Sequence, residues 1–348
     1  MVIFEGKVYD VKEYMPDHPG GPEYLSKNLG TNIEEEFEDA EHTKSARKTL
    51  LKLPVVGTMG EETSASLSDE ASELAKTAAL GGLNVNAKGN VANLFGEEFE
   101  SKYNFDYDKP LLPQIYNATW TFKSYNQYIN EPKLLTNPVR DVILFENPIL
   151  ELTTFSPWWG IPIVWSVYLF YCSFYISSDP YENLLLIIGG LLTWTFGEYA
   201  LHRFLFHAED NWLEYLPENS GIYMVHFLVH GIHHAFPSDR YRLVFPPVPG
   251  FILLYGVVKP FFIALLGNEK QNAFTIGFIS GYVCYDMIHY YLHHGSCSTE
   301  YMRDLKVYHM QHHYKFSQSG YGVSSKIWDY ILGTEIKKTG KDVKEAKH

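Results

Sequence analysis

Cysteine is scarce in this sequence, and positive charge is in short supply. The 348 residues include three cysteines, Cys172, Cys284 and Cys297, and none of them belongs to a CxxC pair. This pattern indicates neither a disulfide framework nor a zinc site built from thiolates. Lysine and arginine number 28 against 41 aspartate and glutamate residues, so the formal net charge is -13. Such an acidic chain is not expected to bind nucleic acid.

A basic segment followed by a cleavable apolar stretch is missing at the amino end, so we expect that end to stay in the cytosol. Charge is also missing from residues 158–176, WWGIPIVWSVYLFYCSFYI, which are long enough to cross a bilayer. Further apolar stretches follow at 184–202, 245–266 and 273–292. They predict an all-α membrane domain with about four transmembrane helices. The alternative is a buried all-α soluble core, which the charge-free first stretch disfavours.

Histidine is almost absent from the first two hundred residues, where only His18 and His42 occur, and then becomes frequent. Twelve of the chain's 15 histidines lie between residues 202 and 313. They form four groups with the sequences HRFLFH, HFLVHGIHH, HYYLHH and HMQHH. Because neutral imidazole is the commonest metal ligand among side chains, four such groups in one segment predict a metal centre.

The spacing within the groups selects ten candidate ligands. Residues three or four apart share a helix face, so we expect each triplet to converge on one point, as well as His289 and His293. The triplets are His230, His233 and His234, and His309, His312 and His313. His202 and His207 are five apart, which predicts either a helix end or ligands to two different metals. Divided between two metals, ten ligands give five each. The ten candidates are His202, His207, His230, His233, His234, His289, His293, His309, His312 and His313. His226 and His294 are left over, as residues that either support the ligands or simply pack.

An all-imidazole centre suits iron, zinc or copper. A structural zinc site needs four ligands rather than ten, and zinc has no redox chemistry. The economical interpretation is two iron ions that activate dioxygen, with a lipid as substrate because membrane surrounds the site. Nitrogen ligands bind zinc more tightly than ferrous iron, so protein purified in air is expected to contain zinc as well.

Residues 1–58 indicate a small α+β domain. In VIFEGKVYDV, apolar and polar residues alternate, which predicts a hairpin of two strands around Gly6. The segments HPGG, with His18, and HTKSA, with His42, follow. Two histidines with apolar neighbours are suited to be the axial ligands of a haem. The HPGG and HTKSA segments resemble the cytochrome b5 haem domain, and the resemblance implies that His18 and His42 ligate haem b. The first strand and tryptophan-bearing turn of that family are mostly missing, so we expect either an amino-terminally shortened domain or a true start that lies upstream.

Residues 59–102 are rich in Ser, Ala, Gly and Asn and predict a flexible linker, and residues 103–348 form the predicted membrane domain. The acidic run 34–41 is either a solvated helix face or a docking surface for a basic reductase. If the haem domain is cytosolic, alternation of the four spans brings all four histidine groups to the cytosolic face.

The histidine groups, together with YRLVFPP at 241–247 and YVCYDMIHYYLHH at 282–294, resemble the fatty acid hydroxylase superfamily. With the haem domain, the chain resembles the fungal fatty acid 2-hydroxylases of sphingolipid metabolism. The resemblance implies an endoplasmic reticulum enzyme that hydroxylates very long acyl chains at the 2-position, free or in ceramide. Glu198, Tyr285 and Asp286 are candidates for residues that support the ligands. Tyr241 and Arg242 are candidate head-group contacts or interfacial anchors.

Two other functions share parts of this pattern. Front-end acyl desaturases also join cytochrome b5 to histidine boxes, but usually have glutamine where this chain has His309. Sterol-type and sphingoid-base hydroxylases share the boxes and usually lack the haem domain. A non-enzymatic alternative is a haem- or zinc-binding membrane protein that passes electrons to a partner.

Overall fold

A computed structural model of the chain describes residues 1–15, 18, 22–39, 42, 44–58, 105–133, 142–295, 297 and 299–337. The predicted linker, 59–102, lies entirely outside these residues. The chain divides into two compact units, of which the first contains residues 1–104 and 133–140 and the second contains residues 105–132 and 141–348. The two units are described separately.

The first unit contains a three-stranded antiparallel sheet, β1 (Val2–Phe4), β2 (Lys7–Tyr9) and β3 (Val55–Thr58), in that order. The β1–β2 hairpin turns at Glu5 and Gly6, which have φ of 47° and 69°. Two consecutive positive φ angles are what a tight two-residue hairpin turn requires. The hairpin predicted around Gly6 is therefore present.

The described part of this unit also contains three helices, α1 (Pro22–Lys27), α2 (Glu34–Asp39) and α3 (Lys44–Lys52). One apolar core joins the sheet to the helices. Its buried members are Val2, Phe4, Tyr9, Val11, Ile33, Phe37, Leu50 and Leu53. The α+β fold predicted for the amino-terminal domain is confirmed.

The second unit is helical. Short helices α4 (Leu111–Asn117), α5 (Phe122–Ile129) and α6 (Pro148–Thr154) come before the long apolar helices. Thr121 and Ser124 form a reciprocal capping box at the start of α5, and the Asn147 side chain caps α6.

The apolar helices begin with α7 (Gly160–Ser173) and α8 (Pro180–Ala200), and α8 continues into a π-helical turn, Leu201–Phe206. Among the residues that the structure describes, two continuous stretches are long and apolar enough to cross a membrane, Pro180–Phe206 and Pro247–His294. Only 22% and 11% of the residues in their most apolar windows are buried inside the protein. A core helix of a soluble protein is mostly buried, so these exposed apolar surfaces favour a lipid environment.

The second stretch contains α11 (Pro247–Leu253), a π-helical turn (Leu254–Val258) and α12 (Lys259–His294). It reverses direction at Gly267, where φ is 77° and ψ is 169°. The ring centroids of Phe262 and Phe278 are 5.1 Å apart, whereas 16 positions along a straight helix cover about 24 Å. The stretch is therefore a helical hairpin, and its two arms correspond to the predicted spans 245–266 and 273–292.

The two helix connections lie together at one end of this unit. The Asn272 side chain donates to the Tyr175 carbonyl over 3.0 Å, and Lys270 pairs with Glu182. The turn at Gly267 therefore adjoins the connection between α7 and α8. The histidine groups lie at the other ends of α8 and α12.

Glycines allow α8 and the second arm of α12 to pack closely. A Cβ atom at Gly277 would lie 1.8 Å from the Ile187 carbonyl oxygen, and one at Gly190 would lie 2.1 Å from the Phe274 carbonyl oxygen. Small residues at such a crossing are typical of membrane helix pairs.

The remaining elements surround the histidine groups. Between the two long stretches lie two 3-10 turns (Ala208–Asp210 and Leu213–Tyr215), α9 (Ser220–His226), a π-helical turn (Phe227–Gly231) and α10 (Ile232–Ala235). After α12 come α13 (Glu300–Tyr314) and α14 (Ile327–Leu332). The predicted helical architecture is confirmed, and the number of spans and the side of the membrane remain predictions.

Candidate metal centre

A π-helical turn brings the first two candidate ligands together. The His207 amide donates to the His202 carbonyl over 2.9 Å, an i to i+5 bond that widens the end of α8. The ring centroids of His202 and His207 are consequently 4.9 Å apart. The spacing allowed either a helix end or ligands to two different metals. The structure has the helix end, and His202 and His207 lie in the same group. π-Helical turns occur frequently at functional sites.

The ten candidate histidines form two groups, which we name cluster A and cluster B. In cluster A, His202, His207, His230 and His234 each place a ring nitrogen within 4.8 Å of the others, and His312 Nε2 lies 2.9 Å from His207 Nε2. In cluster B, each of the five remaining histidines likewise places a ring nitrogen within 4.8 Å of the others. These are His233, His289, His293, His309 and His313.

The two HxxHH groups are each divided between the clusters. His230 and His234 are four residues apart and share the helix face towards cluster A, while His233 lies on the face towards cluster B. Likewise His309 and His313 belong to cluster B, and His312 points to cluster A. The expectation that each triplet converges on a single point is therefore wrong, because one helix contributes to both clusters.

The nitrogen separations suit metal coordination. The Nε2 atoms of His207 and His312 are 2.9 Å apart, those of His293 and His309 are 2.9 Å apart and those of His313 and His309 are 3.1 Å apart. Ligands at right angles, each about 2.1 Å from a metal, are about 3.0 Å apart, whereas tetrahedral ligands are about 3.4 Å apart. The separations therefore suit nitrogens that share a metal.

Several buried ring nitrogens in these clusters have no hydrogen-bond partner, including Nε2 of His230, His233 and His289. An unpaired polar atom in a protein interior is costly, so nitrogens of this kind are suited to bind a metal. The residues present therefore fit a centre of two metal ions.

Burial favours the neutral form of most imidazoles outside the apolar spans, with His207, which lies beside two carboxylates, as the exception. It lowers the pKa of His230, His233, His234, His309 and His313 well below the usual range, and neighbouring imidazoles add to the effect. The pKa of His312 is lowered to about 3, mainly by burial. At neutral pH these side chains therefore have a lone pair available for a metal.

Three ligands of cluster A are oriented by hydrogen bonds from Nδ1. His202 donates to the Tyr321 carbonyl over 2.6 Å, and His312 donates to the Ser319 carbonyl over 2.8 Å. His207 Nδ1 lies 2.9 Å from Glu209 Oε1. Each bond leaves Nε2 free to face the cluster, which is how ligating histidines are commonly fixed.

Glu209 is a functional candidate that the sequence interpretation missed. Burial lowers the pKa of His207, but the charges of Glu209 and Asp210 reverse this effect and raise it to about 9. Burial raises the pKa of Glu209, but His207 and His226 outweigh burial and lower it below the usual range. The sequence signal that could have identified Glu209 is its position two residues after His207, a candidate metal ligand.

His226 supports Glu209 and is not a member of either cluster. Its Nε2 lies 2.9 Å from Glu209 Oε2, and its Nδ1 lies 2.7 Å from the Tyr125 hydroxyl. His294 is exposed, and its ring packs against Tyr290 with centroids 4.8 Å apart. Of the two histidines left over by the spacing, one supports a ligand indirectly and the other packs.

The three candidate supporting residues have different environments. Glu198 accepts hydrogen bonds from the backbone of Val323 and Ser324 rather than from an imidazole. Asp286 accepts from the Phe245 amide over 3.3 Å, which ties α12 to the segment before α11. Tyr285 stacks on His289 with ring centroids 5.7 Å apart.

Arg242 is buried and paired with the carboxylates of Glu151 and Asp239. The Tyr241 ring stacks on Phe155 with centroids 4.0 Å apart. Because the charge of Arg242 is already paired inside the protein, its interpretation as a head-group contact is not supported.

In the amino-terminal unit, the rings of His18 and His42 face each other with centroids 6.2 Å apart. Two imidazoles on opposite sides of one iron, each about 2.0 Å from it, have centroids roughly 6.3 Å apart. His42 Nδ1 donates to the Phe37 carbonyl over 2.9 Å, and its ring stacks on Phe37. The separation of the two rings therefore fits a haem iron.

Comparisons with known proteins agree with both parts of the chain. Residues 187–334 match the fatty acid hydroxylase family, and residues 1–60 match the cytochrome b5-like haem/steroid binding domain. A ceramide very long chain fatty acid hydroxylase, SCS7, of Saccharomyces cerevisiae is 33% identical over 95% of this chain and 88% of its own length. The fatty acid 2-hydroxylase of Homo sapiens is 30% identical over 94% of this chain and 89% of its own.

A solved structure is also similar to the second unit. It is described as full-length scs7p with only the hydroxylase domain visible. It is 37% identical to this chain with a TM-score of 0.63, and the match covers 69% of this chain and 89% of the other.

Proposed function

Since the chain belongs to the fatty acid hydroxylase family and has an amino-terminal cytochrome b5-like domain, we propose that it hydroxylates fatty acyl groups at the 2-position. The substrates are very long acyl chains, free or in ceramide, and the product enters sphingolipid biosynthesis. The single observation that carries the proposal is the pair of five-histidine clusters at one end of exposed apolar helices.

The ten histidines of clusters A and B hold the two metals of the active enzyme, and we propose iron in both positions. When bound, two iron ions supply the redox chemistry that reduces dioxygen and removes a hydrogen atom from the acyl chain. Zinc binds the same imidazoles in protein purified in air.

The protein's own residues orient and insulate this centre. The Tyr321 and Ser319 carbonyls and Glu209 fix the tautomers of His202, His312 and His207. Glu198 fixes the loop that contains Tyr321 by accepting hydrogen bonds from its backbone. Nine of the ten cluster histidines are nearly fully buried and His293 is half-buried, which keeps bulk water away from the reacting carbon.

The haem domain supplies the electrons that a monooxygenase reaction requires. His18 and His42 are the proposed axial ligands of haem b. A basic reductase of the cytochrome b5 reductase type is the proposed donor, and the acidic helix α2 offers it complementary charge. Residues 59–102 serve as the linker between the haem domain, 1–58, and the membrane domain, 103–348.

We propose four spans in the endoplasmic reticulum membrane, with α7, α8 and the two arms of the hairpin as the spans. The turn at Gly267 and the connection after α7 then face the lumen, and the histidine clusters and the haem domain face the cytosol. The polar head of a lipid also lies at this interface, while its tail extends between the helices. The carbon nearest the centre is then the one next to the carbonyl, which favours the 2-position over the middle of the chain.

Lipid analysis tests the proposal. The full chain is expressed in cells that lack 2-hydroxylated lipids, and their ceramides are analysed by mass spectrometry. We expect 2-hydroxyacyl ceramide with the wild-type chain and none with His233→Ala or His312→Ala. A new acyl double bond, a hydroxyl on the sphingoid base or an unchanged lipid profile would contradict it.

A further inference from the structure

The two clusters differ in the charges that surround them. The carboxylates of Glu209 and Asp210 lie 2.9 Å and 3.5 Å from His207 Nδ1 in cluster A. Near cluster B the charge is positive, because the buried Lys306 precedes His309 by three residues on the same face of α13. Negative charge next to an imidazole stabilises a divalent cation on the other side of the ring, and positive charge destabilises it.

The clusters also differ in how their rings are fixed. Three imidazoles of cluster A use Nδ1 to contact the Tyr321 carbonyl, the Ser319 carbonyl and Glu209. In cluster B, His293 has a hydrogen bond with the Pro237 backbone, but Nδ1 of His309 and Nδ1 of His313 have no partner among the described residues, against one such Nδ1, that of His234, in cluster A. A ligand ring that is held in place loses less freedom when the metal binds, so fixed rings bind metal more tightly.

Glu209 itself is held by a buried chain of polar groups. Its second oxygen lies 2.9 Å from His226 Nε2, a nitrogen that also lies 2.9 Å from the Phe206 carbonyl oxygen, and His226 Nδ1 lies 2.7 Å from the Tyr125 hydroxyl. Tyr125 belongs to α5, 101 positions away from His226 in the sequence. Glu209 and His226 are nearly fully buried, and Tyr125 is completely buried. Such a chain keeps a carboxylate in one orientation and away from water.

We propose that cluster A is the tighter of the two metal sites, and that Glu209, held by His226 and Tyr125, is the positioning residue that makes it so. This inference rests on the proposed dinuclear centre. Metal in cluster B exchanges first, while metal in cluster A remains as part of the folded structure.

Graded removal of metal from the full-length protein tests this inference. The purified protein is loaded with two equivalents of zinc, and metal per chain is measured by elemental analysis as the concentration of a competing chelator rises. We expect two separate steps. His313→Ala should remove the easily released metal and keep the tight one, whereas His202→Ala should keep only the easily released one.

Substitutions in the polar chain test the role of Glu209. Glu209→Gln keeps the shape and removes the charge, and we expect the affinity of the tight step to fall by roughly 10–100-fold while the weak step stays unchanged. Tyr125→Phe removes only the outermost hydrogen bond of the chain. It should lower the metal affinity of the tight step by a smaller factor than Glu209→Gln does. This variant therefore tests the role of Glu209 even if Glu209→Gln does not fold. Glu151→Gln is the matched control, since Glu151 pairs with Arg242 and should shift neither step.

The possible failures are distinguishable. Release of both metals in one step, or an equal effect of Glu209→Gln on both steps, would overturn the inference and leave the dinuclear centre intact. A tight step that survives His202→Ala and is lost in His313→Ala would reverse the assignment of the two clusters. A full-length protein that binds no zinc would overturn both the inference and the proposed function.

Discussion

Glu198 is buried one helical turn before His202, yet it holds the backbone of a loop rather than a ligand. Its Oε1 accepts hydrogen bonds from the amides of Val323 and Ser324 over 3.2 Å and 2.7 Å. The same loop presents the Tyr321 carbonyl to His202. Glu198 therefore acts on cluster A through the position of the loop.

We expect Glu198→Leu to lower the free energy of unfolding by about 1–3 kcal/mol for each buried amide left without an acceptor. Thermal unfolding in detergent measures the effect. Thr193→Ala, at an exposed position on the same helix, is the control and should leave the unfolding temperature nearly unchanged. Equal unfolding temperatures for Glu198→Leu and Thr193→Ala would contradict this role.

His18 and His42 are the residues that determine haem binding in this account. Replacing either with alanine removes one of two axial ligands, so the haem absorbance of the purified protein should be lost. The zinc or iron content of the membrane domain should stay unchanged, because the ten cluster histidines are intact. Haem absorbance that survives both single substitutions would show that these residues are not the ligands.

At the scale of elements, the packing of α8 against the second arm of α12 depends on the absence of side chains. A Cβ at Gly277 would lie 1.8 Å from the Ile187 carbonyl oxygen, whereas one at Gly256 would meet no atom within 4 Å. Gly277→Ala should therefore destabilise the membrane domain by about 1–3 kcal/mol or more, because backbone must move. Gly256→Ala is the matched control. Thermal unfolding of the two variants should differ clearly, and similar midpoints would argue against this close packing.

The helix elements and the candidate ligands could be predicted because apolar length and histidine spacing are local properties of the sequence. The grouping of His202 with His207 in one cluster was not predictable, since the π-helical turn at Leu201–Phe206 departs from 3.6 residues per turn and brings the two side chains together. The supporting carbonyls of Ser319 and Tyr321 were also missed, because their positions depend on the path of the chain after α13. The charge of Arg242 suggested a surface role, and only the fold shows that Glu151 and Asp239 pair with it.

At the scale of the whole molecule, the proposed topology places the turn near Gly267 and the histidine clusters on opposite sides of the membrane. Lys270 adjoins that turn, and the exposed Lys315 directly follows α13. In sealed microsomes, a membrane-impermeant maleimide should label Lys315→Cys at once and Lys270→Cys only after detergent is added. The wild-type chain, with Cys172, Cys284 and Cys297, gives the background. Labelling of both variants in sealed vesicles would contradict the topology.

The central claim is that a centre formed by clusters A and B places one oxygen atom from dioxygen on the carbon next to the acyl carbonyl. Isotope analysis of the product tests it most directly. The full chain is supplied with an acyl substrate deuterated at carbon 2 or at carbon 3, under labelled dioxygen, and the product is analysed by mass spectrometry. We expect one labelled oxygen in the product, loss of one deuterium from carbon 2 and none from carbon 3. Deuterium lost from two neighbouring carbons without oxygen gain would contradict it.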